Sequence, residues 1–126
     1  MNKELNDKLK ELKIEDFIWV IYIGIIIMSW YSNILERKYY TKNDLEAKKK
    51  YREIIIAIFI ILLIVYLYFL YSSYQCVRNL KKTDSDKKKQ LVILSFLASL
   101  FIVISGIIFL YIAFADEDLN VELAFN

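Results

Sequence analysis

Residues 54–74 read IIIAIFIILLIVYLYFLYSSY. This stretch decides the fold. It contains no Asp, Glu, Lys or Arg, and no Gly or Pro. A helix needs roughly 20 mostly apolar residues to cross a bilayer core. Ile and Val also favour strands, so a β reading has to be weighed. Membrane strands alternate apolar and polar residues over ~10 positions. Residues 54–74 are apolar all round for twice that length. In hydrocarbon a helix satisfies its own backbone groups and an open strand does not. The stretch therefore reads as a spanning helix.

Two further blocks match it. Residues 17–35 (FIWVIYIGIIIMSWYSNIL) and 91–115 (LVILSFLASLFIVISGIIFLYIAFA) are equally free of charge. The third block is long enough to tilt or to protrude. The expected fold is all-α: an integral membrane protein with three transmembrane helices at 17–35, 54–74 and 91–115. Between them stand a charged N-terminal helix (1–16), a basic loop with a helical extension (36–53), a second basic loop (75–90) and an acidic tail (116–126).

The composition agrees. The 126 residues are 58% hydrophobic, yet 25% are charged, so the two classes must be segregated along the chain. Such apolar content is far from that of disordered chains. A single cysteine leaves no intrachain disulfide, and the absence of histidine removes the commonest general base and metal ligand. The segment before residue 17 mixes five acids with four bases, and no A-x-A-like site follows the first block. That block reads as an uncleaved anchor, not a signal peptide.

The connecting segments carry the remaining signals. In 1–16, Leu5, Leu9 and Leu12 form one narrow helical stripe among charges, with Glu4 and Lys8 spaced as an i,i+4 pair. Such a helix either lies on the membrane or a partner, or leads in water into the first span. In 36–53, Asn43 followed by Glu46 has the spacing of a capping box, so the second helix is expected to begin near Asp44 and to run to about Asn79. Lys48, Lys49, Lys50 and Arg52 then project beyond the membrane. They form either a solvated collar or a contact for anionic lipid headgroups, at ~1 kcal/mol per base. In the second loop Thr83, Asp84, Ser85 and Asp86 offer caps for the third helix. The connection is short, so spans two and three are expected to be antiparallel neighbours. The tail alternates Leu119, Val121, Leu123 and Phe125 with polar or small residues, a weak strand-like pattern against a background of fraying.

Orientation follows from Lys and Arg, which favour the cytoplasmic side. The N-terminal segment has 4, the first loop 7, the second loop 6 and the tail none. The N-terminus and second loop together outweigh the first loop by three. The expected arrangement is a multi-pass cell-membrane protein with its N-terminus cytoplasmic and its C-terminus outside. Both loops are strongly basic although they lie on opposite sides. Either the first loop is translocated despite its charge, or the protein inserts both ways.

Spans associate by close packing and hydrogen bonds, because lipid is as apolar as leucine. On the third helix Ser95, Ser99, Gly106 and Ala113 share one sector with Ile102, a small-residue seam. On the second, Ala57, Ile61, Ile64, Tyr68, Tyr71 and Gln75 share a face. A hairpin turning near Thr83 sets Tyr71 level with Ser95 and Ala57 near Phe109, so Tyr68 or Tyr71 is expected to bond Ser95 or Ser99. The helix-packing candidates are thus Ser95, Ser99, Gly106, Ala113, Tyr68 and Tyr71. The tryptophans and many tyrosines near span ends form an interfacial belt.

Chemistry is scarce. No ionisable Asp, Glu, Lys or Arg lies inside a span, where it would mark a proton relay or ion path. The span serines have no activating base nearby in sequence, and no Gly-rich phosphate loop is present. Asp116, Glu117 and Asp118 lack a chelating loop, which favours a solvated acidic end over a cation site. Cys76 borders the second span, where a cysteine either packs or is acylated. The basic loops carry no nucleic-acid-binding signature, which leaves lipid as their partner. No catalytic residue, metal site or cofactor is expected. The expected role is a non-enzymatic interaction or accessory subunit of a membrane complex. The expected partners are the lipid bilayer, anionic headgroups, and further copies or a larger membrane protein, with no nucleic acid. The alternatives are an oligomeric, holin-like pore and a dual-topology small transporter.

Overall fold

A computed structural model describes residues 2–115; the acidic tail, with its cation and strand readings, lies outside the described residues. Three α-helices make up the fold: α1 Lys3–Lys42, α2 Leu45–Arg78 and α3 Asp86–Ala115. No strand occurs among the described residues. All three helices are long and apolar enough to cross a membrane. At ~1.5 Å per residue each exceeds the ~30 Å hydrocarbon core, so charged ends stand beyond it.

The chain forms two units, Met1–Ile54 and Ile55–Asn126. In the first unit, α1 opens on Asn2, whose extended backbone (φ −77°, ψ 162°) lets its side-chain oxygen accept from the Leu5 amide at 2.8 Å. This satisfies one of the amides that a helix start leaves without a partner. α1 then runs 40 residues without a break. The charged segment 3–16 and the apolar block 17–35 are therefore one helix, and so is the start of the expected first loop.

That loop contracts to two residues. Asn43 adopts the left-handed conformation (φ 51°, ψ 36°) and ends α1. Asparagine tolerates this region better than most residues with a Cβ. Asp44, not Asn43, caps α2: its Oδ1 accepts from the amides of Glu46 (3.1 Å) and Ala47 (3.2 Å). The cap thus falls one residue later than expected, because Asn43 serves the helix before it, and with Ala47 three residues on it is a simple cap and not a capping box. So tight a turn sets the end of α1 against the start of α2, where Ala47 and Tyr51 are buried. The rings of Tyr39 and Tyr51 lie 6.3 Å apart.

In the second unit the remainder of α2 and α3 form an antiparallel hairpin, as the short second loop predicts. α2 ends through Asn79, whose amide donates to the Gln75 carbonyl. Asp84 braces the turn by accepting from the Lys81 amide (2.8 Å) and from Lys88 Nζ (3.2 Å). The backbone bond from Lys81, and then Lys88, hold its carboxyl below the usual carboxylate range. Ser85 caps α3, its Oγ accepting from the Lys88 amide at 3.1 Å. Phe59 stacks on Phe109 (5.9 Å, 11°) and Tyr74 meets Phe96 (6.2 Å), which fixes the register at both ends. Phe109 thus meets Phe59, two residues along α2 from the expected Ala57, and the connection between the helices, residues 79–85, contains Thr83 as expected.

Candidate functional site at the first turn and the hairpin seam

The bases of the first turn sit on two faces of α2. Lys48 and Arg52 are partly buried. Lys48 Nζ lies 5.2 Å from the Tyr39 ring centre, within reach of a cation–π attraction. Lys49 and Lys50 are exposed and share a shallow cleft with Glu46 and Glu53. The four bases therefore form two pairs, one partly buried, with Lys48 against the Tyr39 ring, and one exposed and interleaved with acids.

Tyr51 anchors this corner. It is 1% exposed, and among the described residues its hydroxyl has no hydrogen-bond partner; the buried Ser32 hydroxyl on α1 has none there either. Burial, followed by the nearby Tyr40 and Glu36, pushes the Tyr51 phenol up to about 12, since each disfavours a phenolate there. The sequence marks Ser32 only as one of the span serines without a base and does not mark Tyr51 at all. The signal was available in their placement: Tyr51 lies four residues after Ala47, on the side of α2 that a two-residue turn presses against α1.

The seam residues lie in the second unit. Gly106 and Ala113 are buried on α3, with Val103 beside them. A Cβ on Gly106 would stand 3.3 Å from the Tyr66 ring and 3.4 Å from Leu63. Ser99 is half-buried and Ser95 exposed. Ser99 Oγ donates to the Ser95 carbonyl (3.0 Å) and also lies 2.9 Å from Ser73 Oγ. A hydroxyl has one proton, so Ser73 is the donor to Ser99. Ser73 thus supplies a polar link to Ser99 across the hairpin. Tyr71 is 62% exposed, and Tyr68 packs edge-on against Phe69 (5.7 Å).

Phe59, Leu63, Tyr66 and Ser73, spaced by helical turns, carry the α2 side of the hairpin. The expected face through Ile64 and Tyr71 does not; both are exposed. Ile102 is likewise exposed, and Val103 takes the buried place. An apolar groove opens beside Gly106 between Phe59, Tyr66, Ile102 and Phe109. Near the turn a second cleft brings Ser72, Ser73 and Ser95 around the exposed Cys76. No group of three or more His, Cys, Asp or Glu that could hold a metal occurs among the described residues.

No known protein family, curated protein or solved structure matches this chain. Its reading rests on its own geometry.

Proposed function

We propose that this small membrane protein acts without bond chemistry, as an interaction or accessory subunit of a membrane complex. The supporting observation is α1. One unbroken helix joins a spanning block to a charged segment whose leucines remain exposed. A rigid extension of this kind carries a surface beyond the bilayer and ties it to a membrane anchor. The charge-free spans agree with such a role, because transport and intramembrane catalysis usually place ionisable groups at membrane depth. Anionic lipid headgroups at Lys48, Lys49, Lys50 and Arg52 would fix the depth of the first turn in the membrane.

Purification of the full chain in mild detergent tests the reading. The expected result is a stoichiometric complex with a different membrane protein. Recovery as a homo-oligomer alone, accompanied by dye leakage from cells expressing it, would overturn it in favour of a pore.

A further inference from the structure

The leucine stripe of α1 is not confined to the charged segment. Leu5, Leu9 and Leu12 are spaced four and three residues apart, and each is 44–47% exposed. The same alternation continues through Asp16 to Trp19, Ile23, Ile26 and Trp30, all four of which are 57–71% exposed. This is an unbroken heptad seam along one side of one helix. At ~100° per residue it faces away from the buried Ile18, Ile25 and Ser32.

Lipid can cover the membrane-depth part of this seam but not its start. Because α1 does not break between 16 and 17, residues 3–16 continue the span for about 21 Å along the helix axis and hold the leucines about 7–18 Å beyond it. A helix lying flat on the bilayer, one of the two readings open from sequence, requires a bend there. The charges then select the occupant. In heptad terms Lys8 and Lys13 flank the seam at the positions that face each other across a parallel pair. Two copies of this chain would set Lys8 against Lys13 twice, and Asp16 against Asp16 in the core of the pair. Lys8 does lean on Glu11 (3.8 Å), but that pair is exposed and leaves the ammonium accessible.

We infer that this face of α1 docks a parallel helix of a different membrane protein: a single continuous helix with leucine-type heptads beyond the bilayer, acids opposite Lys8 and Lys13, and a base opposite Asp16. The inference rests on the accessory-subunit reading and names the partner's chemistry. Self-association through the seam is disfavoured by its own charges. The heterologous pair turns each of those repulsions into an attraction and buries the three leucines that water now faces.

The test uses the full chain in liposomes with two designed single-span helices as probes. Both carry Leu at the seam positions and a Lys opposite Asp16; one has Glu and the other Lys at the flanking positions. Energy transfer between labelled proteins reads association. The acidic probe is expected to bind about tenfold more tightly than the basic one, the sum of several surface charge pairs. The double variant Lys8→Glu, Lys13→Glu is expected to reverse the preference. Equal binding of both probes, binding of neither, or strong self-association abolished by Leu9→Glu would overturn the inference. So would quenching of a fluorophore at Leu9 by a lipid-borne quencher, which would assign the stripe to the bilayer surface. A native complex that survives Leu9→Glu would refute this surface and leave the accessory-subunit reading standing. Absence of any foreign partner from the wild-type preparation would refute that reading, whereas the probes would still decide the surface.

Discussion

Tyr51 and Gly106 show two different ways in which one residue constrains this fold. Tyr51 buries a large ring together with a hydroxyl that finds no partner among the described residues. An orphaned buried hydroxyl costs about 1 kcal/mol or more. Tyr51→Phe keeps the ring contact with Tyr39 and removes that cost, so the variant should be more stable by about 1 kcal/mol in detergent unfolding at neutral pH. The pH dependence follows from the same burial. The phenol titrates near 10.0 when free and near 12 in the fold. Its preference for the folded state is complete below pH 10 and is lost as the pH rises toward 12. Wild-type stability should therefore fall across that window by more than the variant's, as read by unfolding at several alkaline pH values. Gly106 acts through space instead. Even one carbon there lies in tight contact with the Tyr66 ring. Gly106→Leu should open the hairpin, with a loss of about 1–3 kcal/mol and loss of cross-linking between cysteines placed at Ser73 and Ser99.

The helices are defined at their ends by short polar residues whose roles depend on a single backbone angle. Asp44 satisfies two amides of α2. Asp44→Ala should lower stability by about 1 kcal/mol, whereas Asp44→Ser should retain most of it; thermal unfolding in detergent separates the two. The neighbouring Asn43 explains what the sequence could not show. Asparagine is equally at home as the first cap of one helix and as the left-handed end of another. The spacing to Glu46 suggested the former, and the two-residue turn makes it the latter. The three apolar blocks, by contrast, were legible because 19 or more uncharged residues leave a helix no competing conformation in lipid. The facing sides of α2 and α3 were only half legible. Gly106 and Ala113 announce close approach by their size. The 54–74 block of α2 is apolar on every side, so its composition does not prefer the face through Phe59 and Tyr66 to the one through Ile64 and Tyr71. The tyrosine hydroxyls favour the second face, and Ser73, a small residue on an apolar helix, carries a link to Ser99 that its size does not announce.

At the scale of the whole molecule, the orientation expected in a membrane rests on the distribution of Lys and Arg along the chain. Because α2 crosses between them, the first turn and the second turn lie at its opposite ends, and both are basic. Lys and Arg near span ends set orientation by their asymmetry, and here that asymmetry is only three residues. Aromatic contact holds Lys48 at the turn, but Lys49 and Lys50 are exposed and make the better targets. Replacing both with Gln weakens the retention signal on the first turn without touching the cap at Asp44 or the ring pair of Tyr39 and Tyr51. The balance between the two sides then widens from three to five. The double variant should insert uniformly with its N-terminus in the cytoplasm. The measurement is maleimide labelling of intact cells, in a Cys76→Ser background, with a cysteine placed at Thr41 or at Thr83. In the double variant only Thr41→Cys should label from outside. If the wild type labels at both positions and the double variant at Thr41 alone, the three-residue margin is what permits insertion in both directions. If the wild type already labels only at Thr41, that margin suffices and the first turn is translocated in spite of its seven bases. Labelling at Thr83 alone would place the N-terminus outside, and the charge argument would fail.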